Sequence, residues 1–346
     1  MSAAVIDLRS DFVARPTPEM IAFAGQAALR DAAFQPWEDP LVQELTALGA
    51  GLLGRSHASF TINCTTANYL ALSQHARAFD RLVLARDSHI VRHEHVLLQG
   101  IRTGQPPVVA DDAVGAAAGL LAQGGSLLLA VENTELYRCG RPLDSDDLER
   151  LRALKQAAGG RLGLHLDGSR LFNAQAAMGY DLTADFALFD SIAISLNKGL
   201  AAPIGALLVG GRDLVDAAYA QAAAEARVVR PAHIPAAYAL MALRQTQPDL
   251  ADDNRRAAIL AAGLRDRLRA RGAPSPLVDY GGSNILFLAW PAEEPATRAV
   301  ARLAARGILV RRFRDPSTVR LVFHRDIDDA CLARLEPEIL AACLSP

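Results

Sequence analysis

The chain has 346 residues, of which 51% are apolar and 21% are charged, and its formal net charge is −2. This composition predicts a globular chain with room for a large and a smaller domain, and it excludes a strongly basic nucleic-acid-binding protein. The sequence shows no secretion signal, membrane-length apolar run or zinc-site cysteine spacing, so we expect a cytoplasmic protein without a metal or a membrane partner.

Short apolar runs alternate with longer segments of helical periodicity through the first 210 residues. Strands are predicted at 59–62, 81–85, 107–110, 126–132, 162–167, 191–195 and 204–209. Helices rich in alanine and leucine are predicted between them, among others at 66–78, 113–123 and 146–158. This alternation predicts an α/β fold in which a mostly parallel seven-stranded sheet lies between helices.

The pattern changes after residue 211. A helical region at 213–245, broken by Pro231 and Pro235, precedes a second helix at 250–271. The remainder predicts a strand at 284–289, a helix at 295–306, strands at 308–312 and 318–323, and a closing helix at 326–343. We therefore predict a large cofactor-binding domain of residues 1–248 and a small C-terminal α+β domain of residues 249–346.

Lys198 is one of two lysines among 36 cationic residues. The other, Lys155, lies in a charged helix where a solvated cation is expected, whereas Lys198 closely follows an apolar strand and precedes Gly199. A lysine amine can lose its proton and bond to a carbonyl, which a guanidinium cannot do. We interpret Lys198 as the Schiff-base residue of a carbonyl cofactor such as pyridoxal 5'-phosphate; the alternative is a chance lysine at a strand end.

Asp167 ends the predicted strand at 162–167, and Arg170 lies three residues on, at the sheet edge where α/β proteins bind ligands. A carboxylate at that edge would keep the pyridine nitrogen of the cofactor protonated, and Arg170 would reach its phenolic oxygen or the substrate. The alternative for Asp167 is a plain helix cap.

The phosphate of such a cofactor needs donors, and the turn between the first predicted strand and helix supplies them. The backbone of Cys64 and the hydroxyl groups of Thr65 and Thr66 lie at a helix N-terminus, where anions bind. Taken alone, Thr65 is better explained as an ordinary helix cap. Ser195 adds a hydroxyl from the lysine strand. His89 follows the strand at 81–85 and would stack on the ring and exchange protons near neutral pH.

Taken together, the chain resembles the threonine aldolase family, pyridoxal-phosphate enzymes of aminotransferase fold type I. The resemblance depends mainly on residues 165–174 (HLDGSRLFNA) and 197–205 (NKGLAAPIG), and it runs nearly end to end. Further matching stretches are residues 7–11 (DLRSD), 132–134 (ENT) and 319–322 (VRLV).

The resemblance implies a role for each matching position. Lys198 would bond to the cofactor, Asp167 would pair with the ring nitrogen, His89 would stack on the ring and Arg170 would lie beside the phenolic oxygen. Ser10, in an N-terminal segment of residues 1–40, and Arg320 would bind the carboxylate of a small amino-acid substrate. Arg230 would reach the cofactor phosphate, across the interface of a homodimer or homotetramer whose sites lie between subunits.

Five positions depart from the family pattern. Cys64 replaces a glycine of the phosphate loop, Glu135 replaces a histidine near the substrate hydroxyl, Asn197 replaces a serine, and the pair at 36–37 replaces tyrosine and glycine. We therefore expect intact cofactor chemistry in an altered substrate pocket.

The function predicted from these residues is carbon–carbon lyase activity. A β-hydroxy-α-amino acid of the threonine, allo-threonine or phenylserine type would be cleaved to glycine and an aldehyde, with His89, a water or Glu135 as the base. A β-eliminating lyase, racemase or aminotransferase on another amino acid is the alternative, since the cofactor supports each reaction. A non-catalytic binding protein of the same fold is a third possibility.

Overall fold

The computed structural model describes residues 5–245, 247–270 and 276–344. Its strands, in chain order, are β1 (Ile6–Asp7), β2 (His57–Thr61), β3 (Arg81–Ala85), β4 (Val108–Ala110), β5 (Leu127–Glu132), β6 (Leu162–Gly168), β7 (Ser191–Ser195), β8 (Ala206–Gly210), β9 (Leu277–Tyr280), β10 (Ile285–Ala289), β11 (Ile308–Leu309), β12 (Arg311–Arg312) and β13 (Thr318–Val322). Its α-helices are α1 (Pro18–Ala27), α2 (Pro40–Leu52), α3 (Cys64–His75), α4 (His89–His93), α5 (His95–Leu98), α6 (Ala113–Ala122), α7 (Ser145–Ala158), α8 (Leu171–Met178), α9 (Leu182–Asp185), α10 (Arg212–Ala224), α11 (His233–Gln245), α12 (Gln247–Arg269), α13 (Glu293–Ala305) and α14 (Asp329–Leu344).

Seven strands form the large sheet in the order β2-β8-β7-β6-β5-β3-β4. Strands β7, β6, β5, β3 and β4 are parallel, and β8 is antiparallel to both of its neighbours. Successive side chains of a strand point to opposite faces, and in β8 Leu207 packs in the same core as α2 and α11 while Leu208 packs with α3 and α10. The predicted mostly parallel seven-stranded sheet between helices is confirmed.

A smaller antiparallel sheet, in the order β12-β13-β10-β9, forms the C-terminal unit together with α13 and α14. Its hydrophobic core also contains Ile6 and Leu8, because β1 pairs in parallel with β11. The N-terminal strand therefore packs against residues about 300 positions away in sequence. A smaller α+β unit at the C-terminus is confirmed, and its boundary at residue 248 stays a prediction.

Two elements differ from the sequence prediction. The strand predicted at 308–312 is divided, because β11 pairs with β1 whereas β12 pairs with β13. Pro235, predicted to break the helical region, lies in the first turn of α11, where a missing N–H leaves no intrahelical bond unmade. Pro231 does lie in the break between α10 and α11. The predicted end of the helix at 250–271 lies outside the described residues.

Within the described residues, no helix combines the length and apolar character needed to cross a bilayer. The carboxyl ends of β3, β5, β6 and β7 meet at one edge of the large sheet, because these strands are parallel. The predicted ligand-binding side chains follow these ends, so the sheet collects them at one place.

Candidate active site

Asp167 lies at the end of β6 and is almost completely buried. Its Oδ2 accepts a hydrogen bond from Asn68 Nδ2 at 3.0 Å, and its Oδ1 accepts one from Ser169 Oγ at 2.7 Å. Burial opposes ionisation, but the nearby His89 and Lys198 lower the pKa of Asp167 below its usual value. Arg170, and not Asp167, is the N-cap residue of α8. Asp167 is therefore a buried, ionised carboxylate and not a helix cap.

Lys198 lies three residues beyond the end of β7, in a half-buried position. No hydrogen bond or ion pair joins its amine to another residue in the described parts of the chain. Gly199 lets the backbone approach α12 and α8, since a Cβ there would lie 2.5 Å from Leu250 Cδ2 and 3.0 Å from Asn173 Oδ1. The lysine amine is thus available for a bond to a carbonyl group.

His89 begins α4, and its ring is oriented by a residue that the sequence did not reveal. His89 Nδ1 lies 3.0 Å from Oε1 of Glu94, whose side chain is only 3% exposed. The backbone N–H of His89 donates to Glu132 Oε2 at 3.0 Å. Because Glu94 accepts the Nδ1 proton, Nε2 is the free nitrogen of His89.

Glu132 is the last residue of β5 and the register partner of Asp167. Burial and the neighbouring Asp167 carboxylate raise the pKa of Glu132 to about 7. The sequence indicated this residue only as part of the ENT motif. Two carboxyl groups on adjacent parallel strands thus have pKa values shifted in opposite directions.

Arg170 forms a buried, bidentate ion pair with Asp11. Its Nε lies 2.6 Å from Asp11 Oδ2 and its Nη2 lies 2.7 Å from Asp11 Oδ1. Burial opposes ionisation of Asp11, yet the Arg170 guanidinium holds the pKa of this carboxyl well below its usual range. The pair joins the N-terminal segment to the start of α8, and Ser10 Oγ donates to Asp11 Oδ1 at 3.3 Å. Asp11 was not predicted as a site residue, although it lies in the matching DLRSD stretch.

Arg320 is 5% exposed, and its charge is only partly matched. Its Nη2 donates to the backbone oxygen of Arg9 at 2.8 Å, whereas its buried Nε has no hydrogen-bond partner among the described residues. Burial and the nearby Arg170 lower the pKa of Arg320 to about 10. A buried N–H without a partner is costly unless a ligand accepts it. An anionic group such as a carboxylate would satisfy Arg320.

An aromatic cluster connects His89 with Arg320. The His93 ring lies 4.9 Å from the His89 ring, and His93 Nε2 lies 3.0 Å from the Tyr137 hydroxyl. The Tyr137 ring lies 4.8 Å from that of Phe313, over which the Arg320 guanidinium stacks at 4.3 Å. Burial and His89 lower the pKa of His93 to about 4. A neutral, aromatic surface therefore lies between the ring-face and carboxylate candidates.

The N-terminus of α3 holds the predicted phosphate-binding residues. Asn63, and not Thr65, is the N-cap, because its Oδ1 accepts from Thr66 N at 2.8 Å. The N–H groups of the first helical turn are the donors that such a terminus offers an anion. Burial raises the pKa of Cys64 to about 12, although the nearby Lys198 opposes this shift. Cys64 is thus a neutral thiol that leaves the phosphate site to backbone donors. Ser195 Oγ donates to Asn197 Oδ1 at 2.7 Å.

Two predicted site residues have their contacts elsewhere. Glu135 forms ion pairs with Arg138 and Arg141 and lines a cavity of about 390 Å³ between β5, α6 and α7, whose lining does not include Lys198, His89 or Asp167. Arg230 is exposed; its guanidinium bonds to Gln35 and lies 6.0 Å from the centre of the Phe34 ring. Within a single chain, neither side chain contacts the groups around Lys198.

Ligand atoms of His89, Glu94 and Asp167 lie within 4.8 Å of one another, a spacing that could hold a metal ion. Hydrogen bonds already account for the arrangement, since Glu94 bonds to His89 and Asp167 bonds to Asn68 and Ser169. The arrangement therefore needs no metal ion to explain it.

Comparisons with known proteins agree with this geometry. Residues 7–276 match the Beta-eliminating lyase family. The low specificity L-threonine aldolase of Escherichia coli (strain K12) is 31% identical over 345 residues, covering 96% of this chain and 97% of that protein. The probable low-specificity L-threonine aldolase 2 of Arabidopsis thaliana is 29% identical and covers 94% of this chain and 93% of its own length.

Solved structures share the fold at lower identity. The threonine aldolase of Leishmania major superposes with a TM-score of 0.76 at 21% identity, over 97% of this chain and 98% of that one. The serine palmitoyltransferase of Sphingomonas wittichii superposes with a TM-score of 0.75 at 16% identity, over 98% of this chain and 87% of that one. The fold implied by the sequence resemblance is confirmed.

Proposed function

This chain belongs to the Beta-eliminating lyase family as a threonine aldolase-like member, and from that premise we propose that it cleaves a β-hydroxy-α-amino acid to glycine and an aldehyde. The family and the fold indicate pyridoxal 5'-phosphate as the cofactor. The observation that carries the proposal is the convergence of an unpaired lysine amine, a buried ionised carboxylate and a buried arginine N–H without a partner.

These residues fit the cofactor. Lys198 would bond to its carbonyl, Asp167 would hold a proton on its ring nitrogen, His89 would face its ring, and the α3 N-terminus would bind its phosphate. When bound, the cofactor supplies an electron sink for the pair released as the Cα–Cβ bond breaks. Asp167 favours that sink because its ionised form stabilises a positive ring nitrogen.

The remaining residues act on the substrate. Arg320 and Ser10 would bind its α-carboxylate, and the unpartnered Arg320 Nε supports this role. We assign the base that accepts the β-hydroxyl proton to His89 Nε2, because Glu94 holds the opposite ring nitrogen. The two arginines bound to Glu135 disfavour a carboxylate base at that position.

The aromatic cluster favours a substrate with an aryl group on Cβ. His93, Tyr137 and Phe313 lie between His89 and Arg320, so they would flank a side chain that projects from Cα. Offset packing of aromatic rings is favourable by about 1 kcal/mol beyond simple burial. We therefore expect phenylserine to be cleaved more efficiently than threonine or allo-threonine.

A homodimer or homotetramer with its sites between subunits is part of this proposal. Large apolar side chains are exposed near the N-terminus, among them Leu29 at 89% and Phe34 at 81% exposure. Arg230 stacks on Phe34 at the same surface, which supports its placement at a subunit interface. A cytoplasmic location stays a prediction; the four cysteines are free.

The test begins with the visible absorption of the purified protein, with and without borohydride. Lys198→Ala should abolish the borohydride-sensitive band, whereas Lys155→Ala, at the other lysine, should retain it. Release of glycine and an aldehyde is then measured with phenylserine, threonine and allo-threonine. Pyruvate or ammonia from other amino acids would favour β-elimination instead. A protein that shows no band even after addition of pyridoxal phosphate would refute the enzyme assignment and leave a binding protein.

A further inference from the structure

A chain of five hydrogen-bonded side chains leads from Asp167 into the sheet. Asn68 Nδ2 donates to Asp167 at 3.0 Å, and His165 Nε2 lies 3.0 Å from Asn68 Oδ1. Ser191 Oγ lies 2.8 Å from His165 Nδ1 and 2.8 Å from His75 Nε2. His165 and Ser191 are fully buried, and His75 is 9% exposed.

Local geometry places these residues on facing surfaces. Asn68 and His75 are seven positions apart on α3, which is about two helical turns, so they share one face. His165 and Asp167 are two positions apart on β6 and therefore point to the same face of the sheet. Ser191 is the register partner of His165 on the adjacent β7. Every link in the chain is fixed by regular secondary structure.

The donors in this chain all point toward Asp167. A carboxylate only accepts, so Asn68 must present its amide nitrogen to Asp167 and its oxygen to His165. That oxygen also only accepts, so His165 carries its proton on Nε2 and receives the Ser191 hydroxyl hydrogen on Nδ1. The Ser191 hydroxyl donates its only hydrogen to His165, so its oxygen accepts a hydrogen bond from His75 Nε2. With Asp167 ionised and both histidine rings neutral, the bonds determine the tautomer of each ring.

We propose that His165, Ser191 and His75 are positioning residues that orient Asn68 and direct hydrogen-bond dipoles onto Asp167, so that this carboxylate holds the proton of the cofactor ring nitrogen. The proposal rests on the assigned cofactor and does not depend on which amino acid is the substrate.

The hydrogen-bonded residues act on Asp167 through their dipoles and not through charge. Burial and His75 lower the pKa of His165 to about 3, and burial lowers the pKa of His75. Both rings are therefore neutral near pH 7. The charged or titratable groups around Asp167 include His89, Lys198, Glu132, Glu94 and Arg170. In a buried environment, aligned hydrogen bonds reinforce one another, so a distant member contributes to the last bond.

Ser191→Ala is the first test, because it removes one hydroxyl without adding bulk. A positive charge on the ring nitrogen lowers the proton affinity of the Lys198 nitrogen bonded to the same cofactor. If the Asp167 contact weakens, the pH midpoint of the visible band should rise by about one unit, and the dissociation constant of pyridoxal phosphate should rise about tenfold. Ser59→Ala, a buried serine on β2 of the same sheet, should change neither quantity.

The position of each substituted residue along the series of hydrogen bonds gives a second readout. The midpoint shift should be larger for His165→Leu than for Ser191→Ala and smallest for His75→Leu, whatever the order of their effects on stability. A stable Ser191→Ala protein with the wild-type midpoint and cofactor affinity would overturn the proposal.

A measurement on the wild-type holoenzyme keeps the proposal testable if the variants do not fold. Nitrogen-15 NMR of labelled histidines should identify two neutral, Nε2-protonated rings that do not titrate between pH 6 and 8. Assignment of His165 as an Nδ1-protonated or cationic ring would refute the directed chain. Because neither experiment uses substrate turnover, a failure of the aldolase assignment would leave this inference standing.

Discussion

Asp253 gives the sharpest prediction about stability. It lies on α12, is 0% exposed, and neither of its carboxyl oxygens has a hydrogen-bond partner in the described chain. Burial raises the pKa of Asp253 from 3.8 to about 8, although Arg256 opposes this shift. Near neutral pH, the carboxyl is therefore protonated in the folded state and ionised in the unfolded state. Replacement by asparagine keeps the shape and removes this titration.

Proton linkage gives the sign and the size of the change in the free energy of unfolding with pH. Between pH 4 and 8 the unfolded state binds fewer protons than the folded state, so the free energy of unfolding falls as pH rises. The fall is about 1.4 kcal/mol per pH unit, or about 3 kcal/mol between pH 5 and 7. Relative to the wild type, the free energy of unfolding of Asp253→Asn should therefore rise by about 3 kcal/mol between pH 5 and 7.

Urea unfolding followed by fluorescence at pH 5, 6, 7 and 8 measures this difference. Asp252→Asn, at a half-exposed position of the same helix, controls for the loss of a carboxylate. A difference between Asp253→Asn and the wild type that is constant across the four pH values would refute the reasoning, because an unshifted or hydrogen-bonded carboxyl would give that result.

Two further predictions concern the site. Asp11→Asn should lower the free energy of unfolding by about 3–5 kcal/mol, because it leaves the buried Arg170 guanidinium uncompensated. Denaturant titration measures this change, and Asp7→Asn, which breaks the more exposed pair with Arg9, is the control. His89→Asn should lower kcat for aldehyde release by about 100-fold or more, while Glu135→Gln should stay within about threefold of wild type. Equal losses in the last two variants would contradict the assignment of the base.

The strands of the large sheet were predictable because their buried apolar residues are consecutive in the sequence. Strands β3 and β7 have the predicted bounds, since apolar runs covered on both faces need no partner to be recognised. The two-residue strand β1 was not predicted, and β11 was not predicted as a separate strand. Each exists only because the other, about 300 residues away, supplies its hydrogen bonds. The same absence of a local signal explains the undivided strand predicted at 308–312.

Within the site, the available chemistry could be predicted from the amino-acid sequence. Residue type and local position indicated Lys198, Asp167 and His89. Lys198 is a rare lysine after an apolar strand, Asp167 lies at the end of a neighbouring strand, and His89 follows a third strand. Carboxyl ends of parallel strands meet at one edge, so these residues could be expected to lie together before any contact was known.

The partner of each group depends on contacts between residues that are distant in the sequence. The Asp11–Arg170 pair joins residues 159 positions apart, and the Asn68–Asp167 bond joins residues 99 positions apart. Glu135 was a candidate base by its place in a motif, but its carboxylate forms ion pairs with Arg138 and Arg141. Periodicity reports which face of an element is buried, whereas protonation and orientation depend on the charges and donors that other elements bring into contact.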